Sequence, residues 1–291
     1  MTAAEMKTVE ILHEPGLANL LVSAIAGSSK KPGVVKKLAP VTLVRPQVVL
    51  DAAHIARYAA ICGFIPAQGV PLIYPQMLTF PLVMAYVSSA DCPWPALGTV
   101  HLSNAIEQKQ SLRAGDAVRV ELIPGQVFAH EKGQGFTMNL RILRDGELVW
   151  SAIQSLLRVG VKHPQGKAFA SRISADAPLS HQADFNAPAD IGRRYGAVSG
   201  DRNPIHLTAL SARLFGFKRA IAHGMWTKAR ALSCVLPDHP LQQARVAVDF
   251  KTPLFLPARA SVWTACSPSG ALFEVRDAKG QKPHLRAHLQ Y

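Results

Sequence analysis

The stretch YGAVSGDRNPIH, residues 195–206, places an acid, a base, an amide and a proline close together in the chain. Pro204 disfavours helical geometry in the residue before it, which predicts a turn that enters a helix near Leu207. In such a turn the side chains of Asp201 and His206 can face one point, hold one water molecule and exchange its protons. The alternative is structural: Asp201 caps the turn, as aspartates commonly do, and His206 lies at the surface.

The segment IAHGMWTKA, residues 221–229, predicts a helix that starts at Gly224. A helix N-terminus presents backbone N–H groups without partners and the positive end of the helix dipole. Because glycine has no side chain, an acyl carbonyl can approach these N–H groups closely, which predicts an oxyanion site. His223 is more typical of a hydrogen-bonded core histidine than of a catalyst. The predicted apolar face of the helix consists of Met225, Ala229, Leu232 and Leu236.

The chain contains an internal repeat. YAAICGF, residues 58–64, matches YGAVSGD, residues 195–201, and each is followed by a methionine that opens an apolar stretch, Met77 or Met225. Each half then closes with β-rich segments whose turn sequences, RDGE and DAKGQ, predict hairpins. We therefore predict an α+β fold of two repeats, each with one central helix wrapped by a curled antiparallel sheet.

The predicted boundaries follow the composition of the chain. The first repeat covers residues 41–161 and the second 178–291, with a polar linker over 162–178 between them. Residues 1–40 are predicted to hold a short apolar helix, LANLLVSAIAG at 17–27, and a mobile basic linker, GSSKKPGVVKKLAP at 27–40.

The two repeats differ at the polar positions. Phe64 stands where the second repeat has Asp201, and Pro75-Gln76 stands where the second has His223-Gly224. The first repeat also lacks a counterpart of the segment that carries His206. We predict that it has exchanged catalysis for binding.

The net charge of +13 at pH 7 is large for 291 residues and attracts anionic partners. The Lys and Arg residues are spread along the chain and no nucleic-acid-binding module is found, so phosphorylated small molecules or an acidic carrier protein fit this charge better than nucleic acid. A general surface charge explains it equally well. No apolar run reaches the ~18 residues of a membrane span.

The four cysteines are scattered without a C-x-x-C pair, which favours reduced thiols in a cytoplasmic protein. His284 and His288 can share a strand face, but no acid or cysteine accompanies them, so no metal site is predicted. The motif GAVSG places its serine one position too late for the nucleophile elbow of the α/β-hydrolases.

The second half resembles the MaoC-like, R-specific enoyl-thioester hydratases and dehydratases. The resemblance rests on motifs that occur in the family's order: Ser199-Gly200-Asp201, Asn203-Pro204-Ile205-His206, Gly216-Phe217 and Ala222-His223-Gly224-Met225. The whole chain is similar to double-hotdog members, whose degenerate half makes room for the acyl chain.

The resemblance implies reversible syn hydration of trans-2-enoyl thioesters to (R)-3-hydroxyacyl thioesters, without a metal or another cofactor. It implies that Asp201 and His206 hold the water and that the Gly224 N–H polarises the thioester carbonyl. Coenzyme A or an acyl carrier protein would carry the acyl group, and a homodimer is compatible with this arrangement. Asn203, His223 and Met225 are candidate substrate-binding residues, and Ser233 is the nearest match to the helper serine or asparagine that the family often has on its central helix. Two rival functions stay open: a non-catalytic acyl-thioester-binding module and a thioesterase of the same fold.

Overall fold

The computed structural model describes residues 7–12, 33–95, 98–173 and 176–291. The strands of these residues are β1 Lys7–Glu10, β2 Val41–Val49, β3 Thr99–Gln108, β4 Ala117–His130, β5 Gly133–Arg144, β6 Glu147–Val159, β7 Lys167–Ala168, β8 Ser180–Ala187, β9 Ala244–Phe250, β10 Ala258–Ser267, β11 Gly270–Asp277 and β12 Pro283–Gln290. The α-helices are α1 Ala52–Cys62, α2 Pro75–Ser88, α3 Ile191–Ser199, α4 Pro204–Leu207, α5 Ala209–Arg213 and α6 Gly224–Val235. A short 3-10 helix covers Pro66–Gln68.

The chain forms two compact units that interleave in sequence. The first unit consists of the described residues up to Val49, of Leu78–Asn104 and of Ala117–Ser171. Its strands follow the order β1-β2-β4-β5-β6-β3. Alternate residues of β5, from Phe136 to Ile142, are buried, as expected for a strand with one face on the core.

The turn between β5 and β6 is built by Asp145 and Gly146, which both have positive φ angles, 53° and 81°. Two such residues give the tight turn that fits the twist of antiparallel strands. The hairpin predicted from RDGE is therefore confirmed.

The second unit consists of Leu50–Met77, Ala105–Asp116 and Arg172–Tyr291. Its strands β9-β12-β11-β10-β8 pair antiparallel throughout, and α6 packs against β10 and β11. Trp226 of α6 meets the Phe185 ring of β8 edge-on, with 5.8 Å between the ring centroids. This unit carries all the predicted site residues.

The two strand groups share one topology. In the first unit the order β2-β4-β5-β6-β3 corresponds, strand for strand, to β8-β10-β11-β12-β9 in the second. Helices α1 and α3 also correspond, and each ends at a left-handed glycine, Gly63 with φ 81° and Gly200 with φ 78°. The predicted α+β fold, a double hotdog, is confirmed. The repeat boundaries at 41–161 and 178–291 stay a prediction.

Part of the predicted basic linker is held in place. The backbone N–H and C=O of Val35 both bond the side-chain amide of the buried Gln134, at 2.9 and 2.7 Å, and Trp94 Nε1 donates to the carbonyl of Gly33. The expectation of a mobile segment is thus wrong for residues 33–35, because a buried amide needs these backbone partners. The predicted helix at 17–27 and residues 27–32 lie outside the described residues.

The predicted linker at 162–178 contains one short pairing, since Lys167–Ala168 runs parallel to Phe128–Ala129 of β4. The four cysteines are all free thiols. Among the described residues, no helix has both the length and the apolar character needed to cross a membrane.

Candidate active site

The turn that carries Asp201 is tied together by its own side chains. Gly200 ends α3, and the Asp201 carboxylate then accepts the N–H of Asn203 at 3.1 Å. The Asn203 side chain in turn accepts the N–H of Ile205 at 3.3 Å and caps α4. Asn203 thus fixes the turn through its backbone and its side chain, and its substrate-binding role stays a prediction. The predicted helix start near Leu207 is wrong: α4 begins at Pro204, because proline suits the first helical position, where no N–H is needed.

Two glycines of α3 allow this turn to lie directly on the helix. A Cβ atom at Gly192 would come within 1.8 Å of the His206 carbonyl oxygen, and one at Gly196 within 2.7 Å of the Asp201 carbonyl oxygen. Both distances are shorter than 3.0 Å, a limit below which Cβ contacts in real structures essentially never fall. The GxxxG spacing places both glycines on one helix face, so it sets how close the site residues lie to α3.

His206 has a defined tautomer. Its Nδ1 lies 2.8 Å from the carbonyl oxygen of Ile221, which can only accept, so Nδ1 carries the proton and Nε2 keeps its lone pair. The residue is only 8% exposed, and burial lowers its pKa, against the opposing effects of the Asp201 charge and the Ile221 hydrogen bond. His206 is therefore a neutral base at pH 7, with Nε2 as its accepting atom.

His223 contacts both members of the predicted catalytic pair. Its Nε2–H donates to the backbone carbonyl of Asp201 at 2.9 Å, and its ring stacks on His206 with centroids 3.7 Å apart. Its other face lies 4.9 Å from the Tyr195 ring centroid. Burial, followed by the neighbouring His206, lowers its pKa to about 3. His223 is thus the buried, hydrogen-bonded histidine that the sequence predicted.

The Asp201, His206 and His223 side chains form a compact polar cluster. One atom of each that could bind a metal ion lies within 4.8 Å of the other two. The Asp201 carboxylate, one third exposed, has an oxygen 3.8 Å from His223 Nε2. One nitrogen of each imidazole is engaged with a backbone carbonyl, and the two rings stack at 27°. Each imidazole therefore keeps one ring nitrogen outside these two backbone hydrogen bonds.

Gly224 is the first residue of α6, as predicted, and His223 occupies the N-cap position without a side-chain cap. The first N–H groups of the helix therefore remain available to a ligand. Gly224 is needed for packing, since a Cβ there would lie 2.9 Å from the Phe250 ring. The predicted oxyanion donor thus lies immediately after the histidine that contacts both Asp201 and His206.

The remaining predicted residues take different places. Met225 is half-buried in the first turn of α6. Ser233 lies nine residues beyond Gly224, which is ~13 Å along a helix, and its hydroxyl bonds Arg230. The geometry therefore does not bring Ser233 to the N-terminus of α6.

Sequence reasoning missed three features of this region. Lys228 of α6 is fully buried, and burial holds its pKa well below the ordinary value. Gly192 and Gly196 were not singled out, although their GxxxG spacing on the helix before the motif is a readable signal. The stacking of His223 on His206 had no signal, because it depends on how two segments pack.

Comparisons with known proteins identify the family of the chain. The model of the MaoC-like domain matches residues 171–286. Over 282 residues the chain is 32% identical to 3-hydroxyacyl-thioester dehydratase X of Mycobacterium tuberculosis, covering 94% of this chain and 98% of that protein. The chain belongs to the MaoC-like dehydratase family.

Solved structures support the same assignment. The crystal structure of the Mycobacterium tuberculosis protein, HtdX, superposes with a TM-score of 0.72 at 31% identity, over 85% of this chain and 98% of that one. A MaoC-like dehydratase from Phytophthora capsici superposes with a TM-score of 0.70 over 86% and 94% of the two chains. At 16% identity, that second likeness shows the MaoC-like fold alone.

Proposed function

We propose that this MaoC-like protein catalyses the reversible hydration of trans-2-enoyl thioesters to (R)-3-hydroxyacyl thioesters. The observation that carries the proposal is the tautomer of His206, which leaves Nε2 with its lone pair, in a side chain that clusters with the Asp201 carboxylate. The name of the similar mycobacterial protein, a 3-hydroxyacyl-thioester dehydratase, supports the same reaction class.

In the hydration direction, a water lies between the Asp201 carboxylate and His206 Nε2 and donates one hydrogen bond to each. The water oxygen bonds to the β-carbon of the enoyl group while His206 Nε2 accepts one of its protons. The π electrons move towards the thioester carbonyl and give an enolate. His206 then returns the proton to the α-carbon, so the elements of one water are added. Because one base serves both steps from one side, oxygen and hydrogen arrive on the same face.

The carbonyl of the thioester lies at the N-terminus of α6, where the Gly224 N–H donates to it. Charge develops on this oxygen as the enolate forms, and an N–H donor already in place stabilises that charge without reorganisation. The half-buried Met225 is then next to the acyl group. The first repeat, with Phe64 in place of Asp201, supplies no second acid–base pair and serves to bind the acyl chain.

The substrate carries its own handle, coenzyme A or an acyl carrier protein. Both handles are anionic, through phosphates or acidic side chains, and the net charge of +13 attracts either one.

Incubation with crotonyl-CoA tests the reaction and its rivals together. Loss of the enone absorbance, with no free thiol, is expected for a hydratase. Release of free coenzyme A means a thioesterase, and binding without either change means a binding module. In the reverse direction, (R)-3-hydroxybutyryl-CoA should be dehydrated and the (S) isomer should not; turnover of the (S) isomer alone contradicts the proposed stereochemistry.

A further inference from the structure

The segment after His206 exposes two neighbouring leucines. Leu210 and Leu214 are 74% and 80% exposed, the highest values for a large hydrophobic side chain in the described part of the chain. They lie four residues apart, on α5 and at its C-terminal cap, so they share one face of a helical turn. A single exposed leucine is ordinary at a protein surface, whereas an adjacent pair offers a continuous apolar surface to a partner.

This leucine pair is attached to the frame of the candidate active site. Ser211 Oγ, between the two leucines in the chain, donates to the carbonyl of Pro204 at 2.7 Å. Thr208 caps α5 by accepting the N–H of Ser211 at 3.0 Å. Since Leu210 follows His206 by four residues, their Cα atoms lie within ~14 Å of each other. A partner that contacts the leucine pair is therefore next to the candidate active site.

The sequence around the leucine pair is strongly cationic. Residues 193–219 contain six Lys or Arg residues and one acid, Asp201, and no further Asp or Glu occurs before Asp238. All six cationic side chains are exposed: Arg193, Arg194, Arg202, Arg213, Lys218 and Arg219. Their local net charge of +5 is more than a third of the total of +13, in less than a tenth of the chain. An anionic partner is therefore attracted to this part of the surface in particular.

These six cations keep their charge available to a partner. Arg193 Nη1 donates to the carbonyl of Leu207 at 3.2 Å, at the junction of α4 and α5. Arg213 Nε lies 3.5 Å from the backbone carbonyl oxygen of Lys218. Among the residues that the structure describes, no carboxylate forms an ion pair with any of the six. Their charges are thus not compensated within the described chain.

An exposed apolar pair among such cations fits the surface of an acidic protein. Interfaces between proteins combine an apolar centre with a polar rim, and opposite charges steer the two partners together. Coenzyme A matches the cations through its phosphates, but phosphates do not cover leucines. An acyl carrier protein presents acidic and apolar side chains on one surface, and its flexible arm delivers the thioester while the protein body stays outside the site.

We propose that residues 207–219 form a docking surface for an acyl carrier protein. Acidic side chains of the carrier pair with Arg213 and Lys218, and its apolar side chains cover Leu210 and Leu214. The proposal rests on the proposed hydratase function, because it names the carrier of that function's thioester substrate.

Two variants of the full chain test the charge and the apolar part of the docking surface. Lys218→Glu and Leu214→Ser both change exposed side chains, so the core is left intact. Fluorescence anisotropy of dye-labelled holo-acyl carrier protein measures docking without turnover. Its dissociation constant should rise roughly fivefold or more in each variant, the usual size of one exposed charge pair or of part of a leucine side chain.

Kinetics give the matching test on the substrate. The KM for crotonyl-acyl carrier protein should rise by a similar factor at unchanged kcat, because the substituted side chains lie outside the catalytic cluster. Two controls make the same changes elsewhere: Lys279→Glu in the turn between β11 and β12, and Leu12→Ser, a leucine that is 66% exposed. Both controls should bind the carrier like the parent chain, and crotonyl-CoA hydration should be alike in all four variants.

Four results would overturn the docking surface. Equal weakening by Lys218→Glu and Lys279→Glu means that net charge acts alone, and an equal rise of KM for crotonyl-CoA means that the cations bind coenzyme A. A dimer that Leu214→Ser converts to a monomer in analytical ultracentrifugation means that a second copy covers the leucines. Loss of binding to phosphatidylglycerol vesicles, with carrier binding kept, means that the surface meets a membrane.

Failure of the docking surface and failure of the proposed function give different results. If the chain hydrates crotonyl-CoA but does not bind the carrier protein, the docking surface is refuted and the hydratase stands. If the chain hydrates neither thioester but binds the carrier, and Lys218→Glu and Leu214→Ser weaken that binding, the docking surface stands and the hydratase is refuted.

Discussion

Replacing Gly192 by alanine tests whether the contact between α3 and the catalytic turn sets the site geometry. The new Cβ would lie 1.8 Å from the His206 carbonyl oxygen, and a normal contact needs at least 3.0 Å. The turn must therefore retreat by about 1.2 Å. Misplacing a catalytic group by ~1 Å can cost ~10²-fold in rate, so we expect kcat for crotonyl-CoA to fall by about that factor.

The stability of Gly192→Ala is a second test, because its expected change has one sign with the contact and the other sign without it. Alanine is favoured over glycine by ~1 kcal/mol in a helix interior and by less at Gly192, the second residue of α3, so without the contact Gly192→Ala would be neutral or slightly stabilising. With the contact, overpacking should outweigh this gain and destabilise it by ~1–3 kcal/mol net. Urea unfolding, followed by circular dichroism, measures the difference.

Gly196→Ala is the matched control, because it changes the same helix by the same group. Its Cβ would lie 2.7 Å from the Asp201 carbonyl oxygen, which asks for a shift of only about 0.3 Å. We expect near-neutral stability and a loss of rate of a few-fold at most. If Gly192→Ala keeps full activity and is as stable as Gly196→Ala, α3 does not position His206 and the reasoning fails.

Further predictions concern the pair, its neighbour, the site count and the charge. Asp201→Asn and His206→Gln should each lower kcat by at least ~10², and the double variant should be little worse because both act on one water; multiplicative losses argue against a shared water. The pKa of His223 lies near 3 when folded and at its ordinary 6.5 when unfolded. The unfolded state therefore binds the extra proton, and stability should decline as pH falls from about 6.5 towards 3. His223→Gln should flatten that decline in urea titrations, whereas an unchanged slope assigns it to other groups. Titration with a tight-binding product analogue should give one site per chain, since Phe64 replaces the acid in the first repeat; two equal sites contradict this. Added salt should lower kcat/KM for an enoyl-CoA but hardly for an N-acetylcysteamine ester, and an equal response removes the role of the +13 charge in substrate capture.

Local sequence determined much of the candidate site. The order of Asp201, Asn203 and Pro204 specifies a capped turn that starts a helix, because each residue bonds or constrains its immediate neighbours. Gly224 was also predicted correctly as the start of α6, although His223 at the N-cap makes no side-chain cap. The internal repeat likewise predicted two α+β repeats, since the order of strands and the positions of glycines recur in both halves, and the family resemblance named their fold as a double hotdog.

Tertiary packing decided which groups meet. Ile221, whose carbonyl fixes the tautomer of His206, lies 15 residues beyond it in the chain, and His223, which stacks on it, lies 17 residues beyond. Both contacts require the chain to fold back on itself. A lysine on a helix is expected to be exposed, since lysines are almost never fully buried. Lys228 is nevertheless fully buried, because the surrounding elements cover it. Such contacts arise from the relative placement of whole elements, which no short window of sequence encodes. Short sequence motifs therefore determine which chemical groups the site contains, while the fold determines the tautomer of His206 and the positions of the groups.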